Sequence, residues 1–241
     1  MRASTSRRIV FTAYDGVSLL DLSGPLEAFR VAADFALKEQ RTTYECIVLS
    51  ARGGRVRTAN SVELNTKSAR SISGKAIDTL VVPGALCVDD VTRDRALIQW
   101  LRKTAPTCRR ICSVCVGSFL LAAAGILNGH RAATHWMHAP LLASRHPNVI
   151  VEPDAIYVRD RKVWSSAGST SGIDLALALI EQDVGREVAI KVARILVVYL
   201  KRAGGQSQYS ALVNAQGHSD SECAWALSKA LYCDWPPARL R

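Results

Sequence analysis

Short apolar runs alternate with longer stretches of helical periodicity, and this alternation constrains the fold more than any other feature. RRIVFTA (residues 7–13), YECIVLS (44–50), TLVVPGA (79–85) and RRICSV (109–114) each have the length and apolar or β-branched content of a buried strand. LEAFRVAADFALKEQ, TRDRALIQWLRKTA and IDLALALIEQDVG lie between or after them with apolar residues at helical spacing. Strands that alternate with helices pair in parallel, because each return crossing needs a helix, and a parallel sheet is covered on both faces. The pattern therefore predicts an α/β sandwich with a mostly parallel sheet. In such sheets ligands sit beyond the carboxyl ends of the strands. Attention thus falls on three strand-to-turn junctions: PGA at 83–85, SVCVG at 113–117 and AGSTSG at 167–172.

Several local expectations follow. Ser23 and Pro25 read as the cap and first turn of the first long helix, and Thr92 as the cap of the helix before RRICSV. RVRTANSVELNTKS suggests a hairpin or short strands. A helix is expected from the SVCVG junction to about Leu127, and a last long one over about Arg186–Arg202. The domain reads as residues 9–203, after a basic, disordered tail over 1–8. Residues 204–241 read as a linker, beginning GGQSQYS, and a weakly packing tail.

The 49% hydrophobic content of these 241 residues excludes a disordered chain. No apolar run reaches the ~18 residues of a membrane span, and the start lacks the apolar core of a signal peptide, so a cytoplasmic protein is expected. Seven cysteines, odd in number and irregular in spacing, make a poor disulfide framework. The 31 basic against 21 acidic residues give a net charge of +10, but the basic residues are scattered and read as a solvated surface rather than a nucleic-acid stripe.

The junction Ser113-Val-Cys115-Val-Gly117 has the form of a nucleophile elbow with cysteine in the usual place of serine. Such a turn lifts the side chain over the sheet edge, and Gly117 lets the next helix approach closely. Amides at the helix start are expected to favour thiolate, lowering the Cys115 pKa below ~8.5. The amides of Val116 and of the Gly84–Ala85 turn are expected to form an oxyanion pocket. An ordinary core cysteine fits the spacing equally well. Cys112 and Cys115 also form a C-x-x-C pair, but no second pair completes a zinc site, and Cys112 falls inside the strand. No metal and no cofactor are expected. His135, closing the short RAAT strand, is a candidate proton-transfer partner, and Asp21 in LLDLSGP a candidate acid, although a structural histidine and a turn aspartate are the commoner origins of such residues.

Together, FTAYDGVSLLDLSGPLEAF, VVPGA, SVCVGSFLLAAAGILNGHRAATHW, SSAGSTSGIDLALALIEQDVG and ARILVVYLKRAGGQSQYS resemble the ThiJ/PfpI superfamily, within the class I glutamine amidotransferase-like fold. The similarity is greatest to the amino-terminal domain of GlxA-type regulators of the AraC family. It implies a flavodoxin-like sandwich that forms a homodimer, with Cys115 at the elbow, Asp21 beside it and His135 nearby. Isocyanide hydratases of the same superfamily share the acid and the cysteine but usually carry threonine after it, where this chain has the hydroxyl-free Val116. GlxA-type regulators follow the GGQSQYS segment with a two-unit helix-turn-helix domain, whereas 31 residues follow Ser210 here.

Two function classes remain. One is a ligand-sensing and dimerising domain that binds a small-molecule metabolite, a nitrogenous or carbonyl compound, and reaches DNA only through a separate or missing reader domain. The other is a hydratase, amidase or glyoxalase-type enzyme with Cys115 as nucleophile and Asp21 or His135 moving the proton. Direct DNA contact is expected to be salt-dependent and without sequence preference, and no membrane contact is expected.

Overall fold

The computed structural model describes residues 6–38, 42–72, 76–198, 202–205 and 208. Eight strands form one sheet: β1 (Ser6–Thr12), β2 (Thr43–Ser50), β3 (Gly54–Arg57), β4 (Glu63–Ser68), β5 (Thr79–Val82), β6 (Arg110–Val114) and, after a separate two-stranded pair β7 (Arg131–Ala132) and β8 (Ile150–Val151), β9 (Tyr157–Asp160) and β10 (Val163–Ser166). Their spatial order is β3-β4-β2-β1-β5-β6-β10-β9. All pairings are parallel except the β3–β4 and β10–β9 hairpins at the two edges. Every residue of β5 and of β6 is buried, as expected of strands covered on both faces.

The helices are α1 (Leu19–Lys38), α2 (Val88–Val91), α3 (Arg95–Thr104), α4 (Gly117–Ala123), α5 (Ala139–Arg145), α6 (Ser171–Val184) and α7 (Arg186–Ile195). α1, α6 and α7 pack on one another, and α4 packs on α2 and α3. The near-universal right-handedness of parallel crossovers puts these two groups on opposite sides of the sheet. Phe11, Phe29, Phe119, Leu80, Ile111 and Leu120 are fully buried within the core. Phe29 meets Phe11 and Tyr44 edge-on at centroid distances of 6.4 and 5.1 Å, tying α1 to β1 and β2.

The helix ends depart from the expectations. α1 starts at Leu19, more than a turn before Ser23, so Pro25 lies inside it. Ser18 Oγ, not Ser23, accepts from an amide of the first turn, that of Asp21, at 3.5 Å. α3 is capped by Asp94, whose carboxylate accepts from the Leu97 amide at 2.9 Å, rather than by Thr92. α4 stops at Ala123, four residues short of Leu127, because Gly125 takes the left-handed conformation (φ 76°) that ends helices. α7 ends at Ile195, with Val197 at φ 52°. At the other end of the domain, β1 runs from Ser6, so Arg7 and Arg8 belong to the strand that RRIVFTA implies and not to a disordered tail over 1–8. Nearly all of residues 204–241 lies outside the described residues.

Candidate functional site

Cys115 stands between β6 and α4 with φ 56°, a left-handed backbone that a residue with a Cβ rarely adopts. Two hydrogen bonds to its backbone, one of them braced by a third, hold it there. Its amide donates to the Ser166 carbonyl of β10 at 3.0 Å. Its carbonyl accepts from Thr134 Oγ1 at 3.1 Å, and Thr134 Oγ1 in turn accepts from Ser118 Oγ at 2.9 Å. Close approach fixes it from both sides. A Cβ on Gly117 would overlap the Val82 carbonyl oxygen at the end of β5, and one on Gly168 would lie 2.7 Å from the Cys115 sulfur.

The thiol faces a carboxylate. Asp21, 1% exposed, accepts from the Ser169 amide at 2.7 Å and from the Gly84 amide at 3.2 Å. The Cys115 thiol lines the same cavity as this carboxylate, and the Asp21 charge and the Val116 amide act on the sulfur in opposite directions. Tyr14 Oη donates to the Pro83 carbonyl at 2.7 Å and fixes the turn that carries Gly84. The Val116 amide thus lies where an oxyanion donor was expected, but the Gly84 amide is committed to Asp21. Ala85 lines the cavity.

The electrostatics reverse one expectation. Burial, followed by the Asp21 charge, holds the Cys115 thiol well above its ordinary value, and the single Val116 amide opposes this too weakly to yield a thiolate. Asp21 is itself raised by burial, against the donors on it. Cys112 is fully buried in β6 and pushed up to about 12, an inert core thiol.

Ser18, Asp21, Ala85, Leu86, Cys115, His135, Met137, His138 and Ser169 enclose a cavity of about 100 Å³. That is room for roughly three waters at ~30 Å³ each, hence for a ligand of a few heavy atoms. His135 is among the lining residues, as expected. Burial, with His138 adding to it, pushes His135 down to about 4, and burial lowers His138 as well. Both imidazoles are therefore neutral at pH 7. The Met137 amide donates to His135 Nδ1 at 3.4 Å, which leaves Nε2 as the protonated nitrogen. The site can accept, donate and shuttle protons around a small molecule, and its cysteine is a thiol at rest.

Sequence reasoning points to the 167–172 junction but assigns no role to Gly168 or the Ser169 amide within it, and it misses His138. His138 was within reach: two histidines three residues apart share a face on the 3₁₀ turn Trp136–His138. Ser169 carried no such signal, being 148 residues from Asp21. Among the described residues no cluster of three or more potential metal ligands occurs, and no helix is long and apolar enough to cross a membrane.

Comparison with known proteins bears on the family and the fold. The DJ-1/PfpI family profile matches residues 7–182. The chain is 32% identical over 188 residues to the HTH-type transcriptional regulator CdhR of Pseudomonas aeruginosa, a match covering 78% of this chain and 54% of the regulator, so the chain spans about half of that protein. It is 31% identical over 183 residues to the isonitrile hydratase of Pseudomonas putida, covering 76% of this chain and 74% of the enzyme. The crystal structure of an AraC family transcriptional regulator from Pseudomonas putida superposes with a TM-score of 0.68 at 23% identity, over 79% of this chain and 99% of that one.

Proposed function

The chain belongs to the DJ-1/PfpI family, and from that membership we propose that it is the ligand-sensing domain of an HTH-type regulator of the GlxA and AraC kind, with DNA read by a domain outside the residues described. One observation carries the reading: Cys115 and Asp21, both buried, line the same small cavity of about 100 Å³ with His135 and His138, and burial keeps the thiol protonated and the histidines neutral. A protonated thiol suits recognition better than attack, since the thiolate is the nucleophile. Similarity to HTH-type regulators supports the same reading. The ligand is a small nitrogenous or carbonyl metabolite, hydrogen-bonded by Asp21, His135 and His138, and the domain works as a cytoplasmic homodimer. Calorimetry with small amides, an isocyanide and methylglyoxal, on wild type and on Cys115→Ala, tests it. Binding without turnover that weakens in the variant supports a sensor. Light scattering with and without the bound compound tests the dimer.

The likeness to isonitrile hydratase favours a second reading, in which the pair is catalytic. The sulfur would attack an electrophilic carbon as its proton passes to Asp21, and the same carboxyl would return the proton to the adduct. Turnover of the isocyanide, lost in Cys115→Ser, would select this reading over the first.

A further inference from the structure

The GGQSQYS segment has no part in the site as described so far, yet one of its residues reaches the cavity wall from behind. Gln208 Oε1 accepts from the Trp136 amide at 2.9 Å, and Gln208 Nε2 donates to the Thr134 carbonyl at 3.0 Å. These are the two peptide groups that flank His135. The same Nε2 also meets the Pro153 carbonyl at 3.0 Å and the Ala155 carbonyl at 3.3 Å, while the Gln208 amide faces Asp154 Oδ1 at 3.3 Å. One side chain therefore ties the His135 turn to the loop before β9.

The preceding residues are anchored to the opposite wall. Arg202 meets Asp174 Oδ2 through Nη2 at 2.6 Å and through Nε at 3.0 Å, and its Nη2 donates to Thr170 Oγ1 at 3.1 Å. Asp174 is 3% exposed. Thr170 follows Ser169, whose amide holds Asp21. The Gly204 carbonyl accepts from the Tyr157 amide at 3.1 Å. A second, larger hollow of about 150 Å³ lies among His135, Trp136, Gly168, Ser169, Arg202 and Gln208, and shares His135 and Ser169 with the thiol cavity.

We propose that Gln208 is a positioning residue of the Cys115 cavity: by clamping both peptide groups around His135 it sets that imidazole's place in the wall, so the seating of Gln208 and the filling of the cavity control one another. The proposal rests on the cavity being the working site. It needs no metabolite for its test. Linkage makes the control reciprocal: if filling the cavity shifts the seating of Gln208, a change in that seating shifts the cavity by the same free energy.

The full chain, isotopically labelled, gives two readouts by NMR: the exchange rate of the Trp136 amide and the pH titration of the His135 ring, assigned with His135→Asn. Gln208→Met keeps the length and bulk of the side chain and removes its hydrogen bonds. The expected result is Trp136 exchange accelerated about tenfold or more, with the His135 midpoint moving from about 4 toward ~6.5, and with amide exchange in β1 and β2 unchanged. Alkylation of wild-type Cys115 by iodoacetamide at alkaline pH, with the adduct located on that residue by mass spectrometry, fills the cavity and is expected to change Trp136 exchange at least about fivefold. Unchanged Trp136 and His135 signals in Gln208→Met, or uniform acceleration of all amides, overturns the positioning role. An unchanged Trp136 rate after capping overturns the link to the cavity. A compound panel without a binder would count against the sensor reading alone and leave these readouts standing.

Discussion

A carboxylate as deeply buried as Asp21 is held against its own solvation. Its raised folded-state pKa means that the folded chain binds the proton more tightly than the unfolded one, so Asp21 favours folding at acid pH, and that contribution is lost as pH rises through the folded value. At neutral pH the charge is a cost that the site retains for its hydrogen bonds to the Gly84 and Ser169 amides. Asp21→Asn is therefore expected to stabilise the fold at pH 7 by about 0.5–2 kcal/mol, as relief of functional-site frustration commonly does, measured by urea unfolding. The same change removes the negative charge that raises the thiol. Iodoacetamide should then alkylate Cys115 roughly tenfold faster at pH 8 than in wild type. Burial remains, so the thiol stays less reactive than free cysteine. A slower or unchanged rate would show that Asp21 does not govern the sulfur.

The elements carry the site through turns rather than through their own faces. Cys115 is positioned by the end of β6, Gly84 by the turn after β5, and Ser169 by the turn between β10 and α6. Gly168 belongs to that last turn with φ 105°, and a methyl there would lie 2.7 Å from the sulfur. Gly168→Ala is expected to cost about 3 kcal/mol, overpacking and backbone strain adding together, and to close the cavity; urea unfolding and iodoacetamide uptake measure the two effects. At α3, Asp94→Ala should cost about 1 kcal/mol through loss of the cap, while Thr92→Ala should leave stability within about 0.5 kcal/mol. This pair of residues shows what the sequence could convey. The strands and the Cys115 junction were legible because β-rich runs, Pro-Gly and Gly117 act locally. The choice between two cap residues two positions apart depends on which register buries Leu97 and Leu101, both fully covered in the fold. Pro25 misled for a similar reason: the helix already running from Leu19 absorbs it. The α/β pattern brings the turns after the strands to one sheet edge, but which of their amides meets Asp21 or His135 is set over long sequence separations that no local pattern encodes.

At the scale of the whole molecule, the end of the sheet opposite the thiol is closed by charge. Asp183, near the end of α6, has a fully buried side chain and pairs with Arg7 of β1, with Arg109 at 2.9 Å and with Arg110 of β6 at 2.5 Å. Tyr44 of β2 donates to it at 3.4 Å, and Asp78 joins through Arg109 at 2.8 Å. One carboxylate thus joins three strands to the helix whose other end carries the Thr170 and Asp174 contacts. Removing its charge leaves Arg110, itself buried, without its nearest counter-ion, and breaking a buried pair on one side costs about 3–5 kcal/mol. For a domain of this size, Asp183→Asn should lower Tm by roughly 10 °C or more, at about 2–4 °C per kcal/mol. The acid limb follows with a definite sign. Burial pushes Asp78 up, but its hydrogen bonds to Arg109 and Thr79 and the Arg109 and Arg110 charges together outweigh it and leave it lowered, so its stabilisation is complete above the unfolded value of ~3.9 and is lost as pH falls through the lower folded value. Acid unfolding of wild type should therefore steepen below about pH 4, and Asp78→Asn should flatten it there while lowering stability at pH 7. If calorimetry between pH 3 and 7 found the same slope in both proteins, the ionic closure would be incidental, and the union of β1, β2, β6 and α6 would rest on apolar packing alone.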